Sequence, residues 1–334
     1  MVDALMQQLE RAVTSAWYRG ALWLWLLWPF SLLTSVVVAR RRRRFLLHPP
    51  TPLSVPVVVV GGVTVGGSGK TPVVLALVKE LEARDKRVGV VSRGYGGSPS
   101  REPREVHEST SAALVGDEPA LIKRKTGVPV AVCRDRVRGA EYLISHYDID
   151  IILSDDGMQH YRLPRNLEIA IVDGRRGLGN GRLLPMGPLR EPPSRLSEVD
   201  FVLTRNSEDA EPSISYRPTG FRRHTTGQYM EIDQAVDKWS TQNVAAVTGL
   251  GQPEQFFDLL RSLGLSITAQ SLRDHRPISL RMLENTDAQI VVITAKDAVK
   301  LPPAIDERIW ILEIEAVVPD SLIEGVMAVI DSKG

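Results

Sequence analysis

The sequence predicts an α/β protein in which a parallel sheet domain is joined to a second, smaller α/β domain and preceded by an N-terminal apolar helix. Three observations lead to this prediction. Apolar β-branched runs alternate with helical stretches along the chain, a pattern typical of parallel strands joined by helical crossovers. The 334 residues suffice for about two domains. The stretch 20–39 contains no charged residue.

The N-terminal stretch 20–39 predicts contact with a membrane. As a helix it reaches about 30 Å, roughly one hydrocarbon thickness. Four of the six tryptophans lie between residues 17 and 28, and the run Arg40–Arg44 follows directly, an arrangement that suits the interface and the anionic cytoplasmic leaflet. Because Pro29 lies in the middle, both a spanning helix and a helix bent into one leaflet fit. The alternative is a buried core helix. The arginines that end the apolar run argue against a cleaved signal peptide.

The charge distribution limits the partners of the remaining chain. The net charge is +1, but the first 50 residues carry +5 and the other 284 carry −4. A mildly acidic body argues against a nucleic-acid surface, and nothing in the sequence indicates an obligate protein partner. The only cysteine is Cys133, which excludes an intrachain disulfide and cysteine-ligated zinc in a monomer.

The first domain is predicted over residues 45–212, after the N-terminal segment 1–44. A buried parallel strand is expected over 53–61 because of its valine run, and a helix over 71–83. Another helix is expected to begin near Asp117. Further strands are predicted at 87–92, 149–153, 167–173 and 201–204. Between the last two of these strands, the loop 174–195 is rich in Gly, Pro and Arg, and a loop of that length is usually functional or mobile.

The second domain is predicted over residues 241–334, after a polar connector at 213–240 with short strand-like pieces. Its strands are expected at 244–248, 290–294 and 309–314. A helix is expected at 253–263, and a closing helix near Asp320.

A glycine-rich loop between the first strand and the first helix predicts a phosphate-binding site. Glycines let backbone N–H groups turn toward phosphate oxygens, and the helix N-terminus adds partial positive charge. In this arrangement Lys70 reaches the β- and γ-phosphates, and the Thr71 hydroxyl can ligate Mg²⁺. The loop departs from the strict pattern at its first position, where threonine replaces glycine. The predicted nucleotide-binding residues are Thr64, Val65, Gly66, Gly67, Ser68, Gly69, Lys70 and Thr71.

Two adjacent carboxylates follow the strand predicted at 149–153. Asp155 and Asp156 would lie at the carboxyl end of that strand, where open α/β sheets bind ligands and where phosphate-loop proteins keep an acid near the metal. The alternative is an ordinary Asp-Asp-Gly turn.

Acceptor chemistry needs a proton acceptor and positive charge near the phosphoryl group. Asp117 opens a helix after a loop, where it can be a base or simply a helix cap. His275 lies in the second domain and can be functional, structural or solvated. Arg190 and Glu191, in the long loop, can clamp phosphates, although a solvated loop arginine fits equally well.

These pieces together resemble the tetraacyldisaccharide 4'-kinase family, the lipid A kinases. The resemblance covers nearly the whole chain in order, including the N-terminal apolar segment. Each motif is weak or moderate alone, and their order is specific. The matching stretches are 64–72, 92–96 (Ser-Arg-Gly-Tyr-Gly), 115–119 (Val-Gly-Asp-Glu-Pro), 155–160 (Asp-Asp-Gly-Met-Gln-His), 187–191 (Gly-Pro-Leu-Arg-Glu), 274–275 (Asp-His) and 296–297 (Lys-Asp).

The resemblance implies an ATP- and Mg²⁺-dependent kinase. It would phosphorylate the 4'-hydroxyl of a tetraacylated glucosamine disaccharide 1-phosphate, a glycolipid, at the cytoplasmic face of the inner membrane. The fold implied is a P-loop NTPase-like domain and a smaller α/β domain, with the active site between them. The implied site residues are Asp117 and His275 as the acid–base pair with Lys70, Asp155 and Asp156 at the metal with Thr71, and Tyr95, Gln159, His160, Arg190 and Glu191 at the substrate.

Two positions depart from the family pattern. Met158 stands where the family often has Phe, which is a conservative apolar change. Arg276 replaces a second histidine often found after the catalytic one, so a role for a second histidine does not carry over.

Two other functions compete with the kinase. One is a membrane-bound P-loop ATPase switch that positions other proteins; such switches carry a lysine directly before the Gly-Gly of the loop, and this chain has Val65 there. The other is a nucleotide-binding scaffold without catalysis.

Overall fold

The computed structural model describes the chain from residue 12 to residue 332 with several short gaps. The described residues are 12–67, 69–98, 100–206, 212–272, 278, 282, 286–302 and 305–332. Short 3₁₀ helices cover Leu22–Leu27 and Pro193–Ser197. The helices are α1 (12–19), α2 (Trp28–Leu47), α3 (Lys70–Glu82), α4 (Ala112–Val115), α5 (Asp117–Thr126), α6 (Arg136–His146), α7 (Ile232–Trp239), α8 (Pro253–Ser262), α9 (Ala295–Ala298) and α10 (Asp320–Asp331).

The strands of the described chain join in one sheet. They are β1 (Val57–Gly61), β2 (Val88–Ser92), β3 (Arg104–Glu105), β4 (Val130–Val132), β5 (Ile151–Asp155), β6 (Leu167–Asp173), β7 (Phe201–Arg205), β8 (Ser213–Arg223), β9 (Tyr229–Met230), β10 (Val244–Thr248), β11 (Ile267–Ser271), β12 (Ile290–Thr294) and β13 (Ile309–Val317). The order across the sheet is β11-β10-β12-β13-β8-β7-β6-β1-β5-β2-β4-β3, with β9 beside β8.

Most strand pairs are parallel, which confirms the predicted α/β class. We call β1–β7 with α3–α6 the first unit, and β8–β13 with α7–α9 the second unit. Strand β1 lies between β5 and β6 and is parallel to both. Its four valines alternate between the hydrophobic clusters on the two faces of the sheet. A strand covered on both faces has no polar side, which is why this run reads as uninterrupted valine.

The predicted connector is more regular than its polar sequence suggests. Strand β8 spans eleven residues, pairs antiparallel with β13 over most of its length and touches β7 in parallel over two residues. It therefore joins the two halves of the sheet edge to edge. The polar side chains follow from half-burial, because much of β8 is only partly covered. The boundary at 213–240 stays a prediction.

The closing helix α10 begins at Asp320, as expected from the sequence, but packs on the first unit. Leu322, Ile323, Val326 and Ile330 belong to the same hydrophobic cluster as Val58 and Val60. The end of the chain therefore returns past the connector and completes the core of the first unit. The predicted domain boundary assigns this helix to the second domain.

The N-terminal apolar segment forms an elongated helical arm along the body. Residues Leu22–Leu47 form a helical segment that is long and apolar enough to cross a membrane by length and composition, and 11% of its most apolar stretch is buried. Leu24 packs on Met186, and the Ser31 hydroxyl donates to the Leu183 carbonyl at 2.9 Å. The alternative of a buried core helix is wrong, because Leu22, Leu26 and most of their apolar neighbours are exposed.

Candidate active site

The glycine-rich loop links the end of β1 to the start of α3, as its sequence predicts. Gly66 and Gly69 have φ of +99° and +83°, a backbone that L side chains rarely adopt. Added Cβ atoms at Gly66 or Gly67 would meet nothing within 4 Å, so this part of the loop borders open space. Lys70 is the first residue of α3. Ser68 lies outside the described residues.

Two other segments hold the loop in place. The Val65 amide donates to the Pro188 carbonyl at 2.8 Å, and Thr64 bridges Leu189 in the long loop. The Tyr216 hydroxyl of β8 donates to the Gly69 carbonyl at 2.6 Å. The phosphate loop is thus braced by the 174–195 loop on one side and by the second unit on the other.

Asp155 ends β5 directly beside β1, in register with Val60. It is 1% exposed, and neither carboxylate oxygen has a hydrogen-bond partner among the described residues. Burial raises the pKa of Asp155 to about 8, and the charges of Glu118 and Asp156 add to that rise. An uncompensated buried carboxylate is costly, so this position suits a cationic ligand.

Asp156 differs from its neighbour because cations surround it. Its carboxylate accepts two hydrogen bonds of 2.9 Å from the Arg190 guanidinium, and the Lys70 ammonium lies 3.4 Å away. Burial favours a higher pKa for Asp156, but the charges of Lys70 and Arg190 outweigh it and hold the pKa well below its usual range. Asp156 also has φ of +48°, unusual for a non-glycine residue.

Helix α6 contributes a buried arginine that the sequence reading missed. Arg136 donates to the Asp156 carbonyl at 2.9 Å, and burial lowers the pKa of its guanidinium to about 10. The signal available in the sequence was its place just after Asp135, whose side chain caps α6. The strand before it, β4, has only three residues, too few to give a recognisable pattern in the sequence.

Gln159 and His160 lie on the turn after β5. The Gln159 amide donates to the Gly62 carbonyl at 3.1 Å. The His160 Nε2 atom lies 3.4 Å from Asp135 Oδ1, and burial, aided by Arg136, lowers the pKa of His160 to about 4. The imidazole is therefore neutral near pH 7.

Asp117 is the first residue of α5, and Gly116 precedes it with φ of +92°. A Cβ at Gly116 would collide with the Tyr95 carbonyl, so glycine lets the two loops approach. Asp117 is 6% exposed, with the Lys300 ammonium 3.5 Å from its Oδ2. The helix-cap alternative does not fit, because Gly116 occupies the cap position. His275 lies outside the described residues.

One large cleft, with a volume of about 2260 Å³, brings most of these residues together. It reaches from the phosphate loop across both units. Arg93 and Arg134, which follow β2 and β4, also line it, as expected for side chains at the carboxyl ends of parallel strands. The predicted site residues that line the cleft are Val65, Gly66, Gly67, Gly69, Lys70, Thr71, Tyr95, Asp156, Gln159, His160 and Arg190.

Among the described site residues, Thr64, Asp117 and Asp155 do not line this cleft, and neither does Glu191. It is 1% exposed, and the Tyr161 hydroxyl lies 2.8 Å from both of its carboxylate oxygens. Burial raises the pKa of Glu191. It borders a separate small cavity of about 320 Å³ beneath α2.

The donor set at the carboxyl end of β5 fits a magnesium ion. Mg²⁺ is usually held by one or two carboxylates together with substrate phosphates. Asp155 offers two buried oxygens without partners, and Thr71 begins the neighbouring helix with Lys70. Within the described ranges, no group of three His, Cys, Asp or Glu residues converges on a common point.

The fold and site define a phosphate-loop nucleotide-binding protein. A strand, a glycine loop ending in Lys70 and a helix stand beside a strand that ends in two acids, which is the arrangement of that class. The family model described as tetraacyldisaccharide-1-P 4'-kinase matches residues 23–331. The chain belongs to this family.

Similar proteins agree with the family match. The tetraacyldisaccharide 4'-kinase of Alcanivorax borkumensis is 43% identical over 96% of this chain and 98% of its own length. That of Chromobacterium violaceum is 43% identical over 97% and 99%. A crystal structure of LpxK from Aquifex aeolicus in complex with ATP matches with a TM-score of 0.76 and 27% identity, over 92% of this chain and 99% of that chain.

Proposed function

We propose that this chain transfers the γ-phosphoryl group of ATP to the 4'-hydroxyl of a tetraacylated glucosamine disaccharide 1-phosphate. Family membership supports this reaction. The observation that carries it at the site is a single cleft lined by Lys70 and Thr71 from the phosphate loop and by Glu118, the neighbour of Asp117, from α5. ATP and an acceptor alcohol can therefore meet within one cavity.

The charges at the phosphate loop suit a moving phosphoryl group. Lys70 and Arg190 already converge on Asp156, so both cations are held near the carboxyl end of β5. In the reaction they would balance negative charge on the phosphate oxygens. Asp155 and Thr71 are the residues that would hold Mg²⁺, which when bound neutralises charge on the nucleotide phosphates.

Asp117 is the base in this proposal. The acceptor oxygen forms a bond to the γ-phosphorus, the bond from that phosphorus to the β–γ bridging oxygen breaks, and the proton of the alcohol passes to the Asp117 carboxylate. His275 would assist as the partner that the family resemblance implies. A proton acceptor of this kind contributes typically about 10²–10⁴-fold to a rate.

Arginines from several strand ends provide a surface for the acceptor. Arg93, Arg134 and Arg136 line the cleft beside Gln159 and His160. Guanidinium groups pair with phosphate oxygens in a two-pronged geometry, which matches an acceptor that carries a 1-phosphate. Tyr95, 64% exposed at the rim, offers a ring on which a sugar can lie.

The α2 arm supports attachment along the cytoplasmic face rather than a membrane span. It contacts the body near both ends: Leu24 packs on Met186, and Phe45 contacts the Tyr161 ring with centroids 5.4 Å apart. Arg42 pairs with Glu198 in between. Arg42 follows the apolar run 20–39 and fits the interface in either orientation, but a spanning helix would have to give up the contacts of Leu24 and Ser31 with the body. A helix that lies in the interface keeps these contacts and still buries its exposed apolar face.

One incubation tests the proposal. The protein is mixed with γ-labelled ATP, Mg²⁺ and the disaccharide 1-phosphate lipid in mixed micelles, and label in lipid and in free phosphate is measured. The kinase predicts labelled lipid, and Asp117→Asn should reduce that transfer by about 10²-fold or more while ATP still binds. Label in free phosphate alone would favour the ATPase switch, and unchanged transfer by Asp117→Asn would remove Asp117 as the base.

A further inference from the structure

Two lysines of the second unit meet two adjacent acids of the first unit at the start of α5. The Lys296 ammonium lies 3.4 Å from Glu118 Oε1, and the Lys300 ammonium lies 3.5 Å from Asp117 Oδ2. Both lysines belong to the short segment that follows β12. The two contacts differ in burial, since the Lys300 side chain is 6% exposed and that of Lys296 is 19% exposed.

Lys300 is fixed on its other side by Asp297. Its ammonium donates to Asp297 Oδ1 at 3.1 Å, and that carboxylate is 1% exposed. Asp297 also accepts hydrogen bonds from the Thr248 hydroxyl at 2.8 Å and the Thr294 hydroxyl at 2.7 Å. These threonines end β10 and β12, so the position of the Lys300 charge is set by the sheet of the second unit.

Lys300 therefore links the strand ends of the second unit to Asp117, the candidate base of the first unit. An opposite charge within a few ångströms favours the ionised form of a carboxylate, and only the ionised form can accept a proton. Asp297 is held in place by its hydrogen bonds from Thr248 and Thr294, and it in turn fixes the position of the Lys300 ammonium. From this position the ammonium also faces the Asp117 carboxylate.

We propose that Lys300 is a positioning residue for phosphoryl transfer: it holds Asp117 ionised and oriented, and makes that state depend on how the second unit sits against α5. This inference rests on the proposed role of Asp117. It assigns to Lys300 no contact with substrate.

A purely structural role is weaker, because α5 is held by other contacts. Leu121 and Ile122 lie in the core of the first unit. At the far end of the same helix, Lys125 forms a second ion pair across the units with Glu313. Loss of Lys300 leaves these contacts in place but also removes the cation beside buried Asp297, so the test must separate a loss of stability from an effect on Asp117.

The test compares Lys300→Met with Lys125→Met in the full-length protein. Both remove one cross-unit ion pair from α5, but only the first touches Asp117. We expect Lys300→Met to lower kcat by about 10-fold or more with KM for ATP changed by no more than about twofold, as for a group acting in the transition state. Lys125→Met should keep kcat within about twofold. Equal kcat losses in the two variants, or a loss confined to KM, would overturn the proposal.

A double-mutant cycle separates this inference from the proposed function. If Lys300 acts through Asp117, Lys300→Met should cause no further loss of kcat in an Asp117→Asn background. An equal loss in both backgrounds would show that Lys300 acts independently and would sink the inference. Full activity of Asp117→Asn by itself would instead sink the base assignment. Thermal unfolding of each variant checks folding, and Lys300→Arg, which keeps the charge, should recover part of kcat if Lys300→Met folds poorly.

Discussion

Two buried carboxylates, one in each unit, occupy similar places at the carboxyl ends of parallel strands and have opposite surroundings. Asp155 ends β5 and has no hydrogen-bond partner within the described part of the chain. Asp297 follows β12 and accepts from two threonine hydroxyls, the Gly249 amide and Lys300. Both are 1% exposed. Burial of a carboxylate without partners has a free-energy cost that protonation or a cationic ligand offsets, whereas burial with a full set of donors stabilises the fold.

The hydrogen-bond partners of a buried carboxylate distinguish a group that is available to a ligand from a group that supports the fold. At Asp155 burial raises the pKa to about 8, because the nearby cations do not balance the loss of solvation. Asp297 is instead committed to the protein, and its donors join β10, β12 and Lys300. In the proposed reaction, the first unit would supply the reactive groups at its edge, and the second unit would supply the scaffold that holds Lys300 against them.

The largest expected effect comes from Asp155→Asn. Phosphoryl transfer should fall by about 10²–10³-fold, because the variant removes a charge that would hold the metal. The melting temperature without Mg²⁺ should stay level or rise, since the amide removes the cost of an unpaired buried charge. Steady-state kinetics and a thermal melt measure the two quantities. A fall in both would mean that Asp155 is structural, like Asp297.

Asp297→Asn should reduce stability more than activity, which is the reverse of the result expected for Asp155→Asn. The amide weakens the hydrogen bonds that the Asp297 carboxylate accepts and leaves Lys300 with Asp117 as its remaining acid, so the free energy of unfolding should fall by about 1.5–3 kcal/mol. Urea unfolding at pH 7.5 measures this change. If the free energy of unfolding is unchanged while kcat falls, Asp297 belongs with the reactive groups and the contrast with Asp155 fails.

A smaller, pH-dependent effect is expected at His160, also on the first-unit edge. Its pKa is lowered to about 4 by burial, below the ordinary value of about 6.5. The unfolded chain therefore takes up a proton below pH 6.5 while the folded protein does not. The contribution of His160 to stability is full above about pH 6.5 and falls by roughly 1 kcal/mol per pH unit toward pH 4.

The matched comparison is wild type against His160→Gln, in urea at pH 5 and pH 7.5. Subtracting the two curves removes titrations common to both proteins, such as that of Asp155. The stability difference between wild type and variant should shrink at pH 5. A difference that is independent of pH would show that His160 is not held neutral.

The smallest effect is expected at the exposed ion pair between Lys79 of α3 and Glu315 of β13. The two side chains are 68% and 56% exposed, so water screens the attraction. Lys79→Met should change the free energy of unfolding by no more than about 0.5 kcal/mol. If Lys79→Met lost as much free energy of unfolding as Asp297→Asn in the same urea series, burial would not explain the difference in stability between the ion pairs of Glu315 and Asp297.

Local sequence was enough to predict several parts of this site. The phosphate loop was found because glycines, lysine and threonine are consecutive and lie between a strand and a helix. Asp155 and Asp156 were found because a β-branched run leads directly into them. Strands β6, β10 and β12 were predicted with the bounds that the structure has, since each is a short, mostly apolar segment with clear ends; Glu168 and the terminal Asp173, both in β6, are the charged residues in them.

Other features lacked a local signal. Strand β4 has only three residues, too few for a period to register, and β8 is polar because it is half-covered between neighbours far away in the chain. Arg136 and Lys300 look like ordinary helix and turn cations in the sequence. Their roles depend on partners 20 residues away for Arg136, at Asp156, and 183 residues away for Lys300, at Asp117.

The sequence by itself determined the α/β class, the family and the residue types predicted to contact phosphate, because the order and spacing of residues in a strand–loop–helix unit carry that information. Only the tertiary structure decided that Asp155 lacks partners while Asp297 has a full set, that α10 closes the first core, and that Glu191 lies under the α2 arm. Burial and hydrogen bonding arise from atoms brought together across long stretches of chain, and those neighbours cannot be read from adjacent letters.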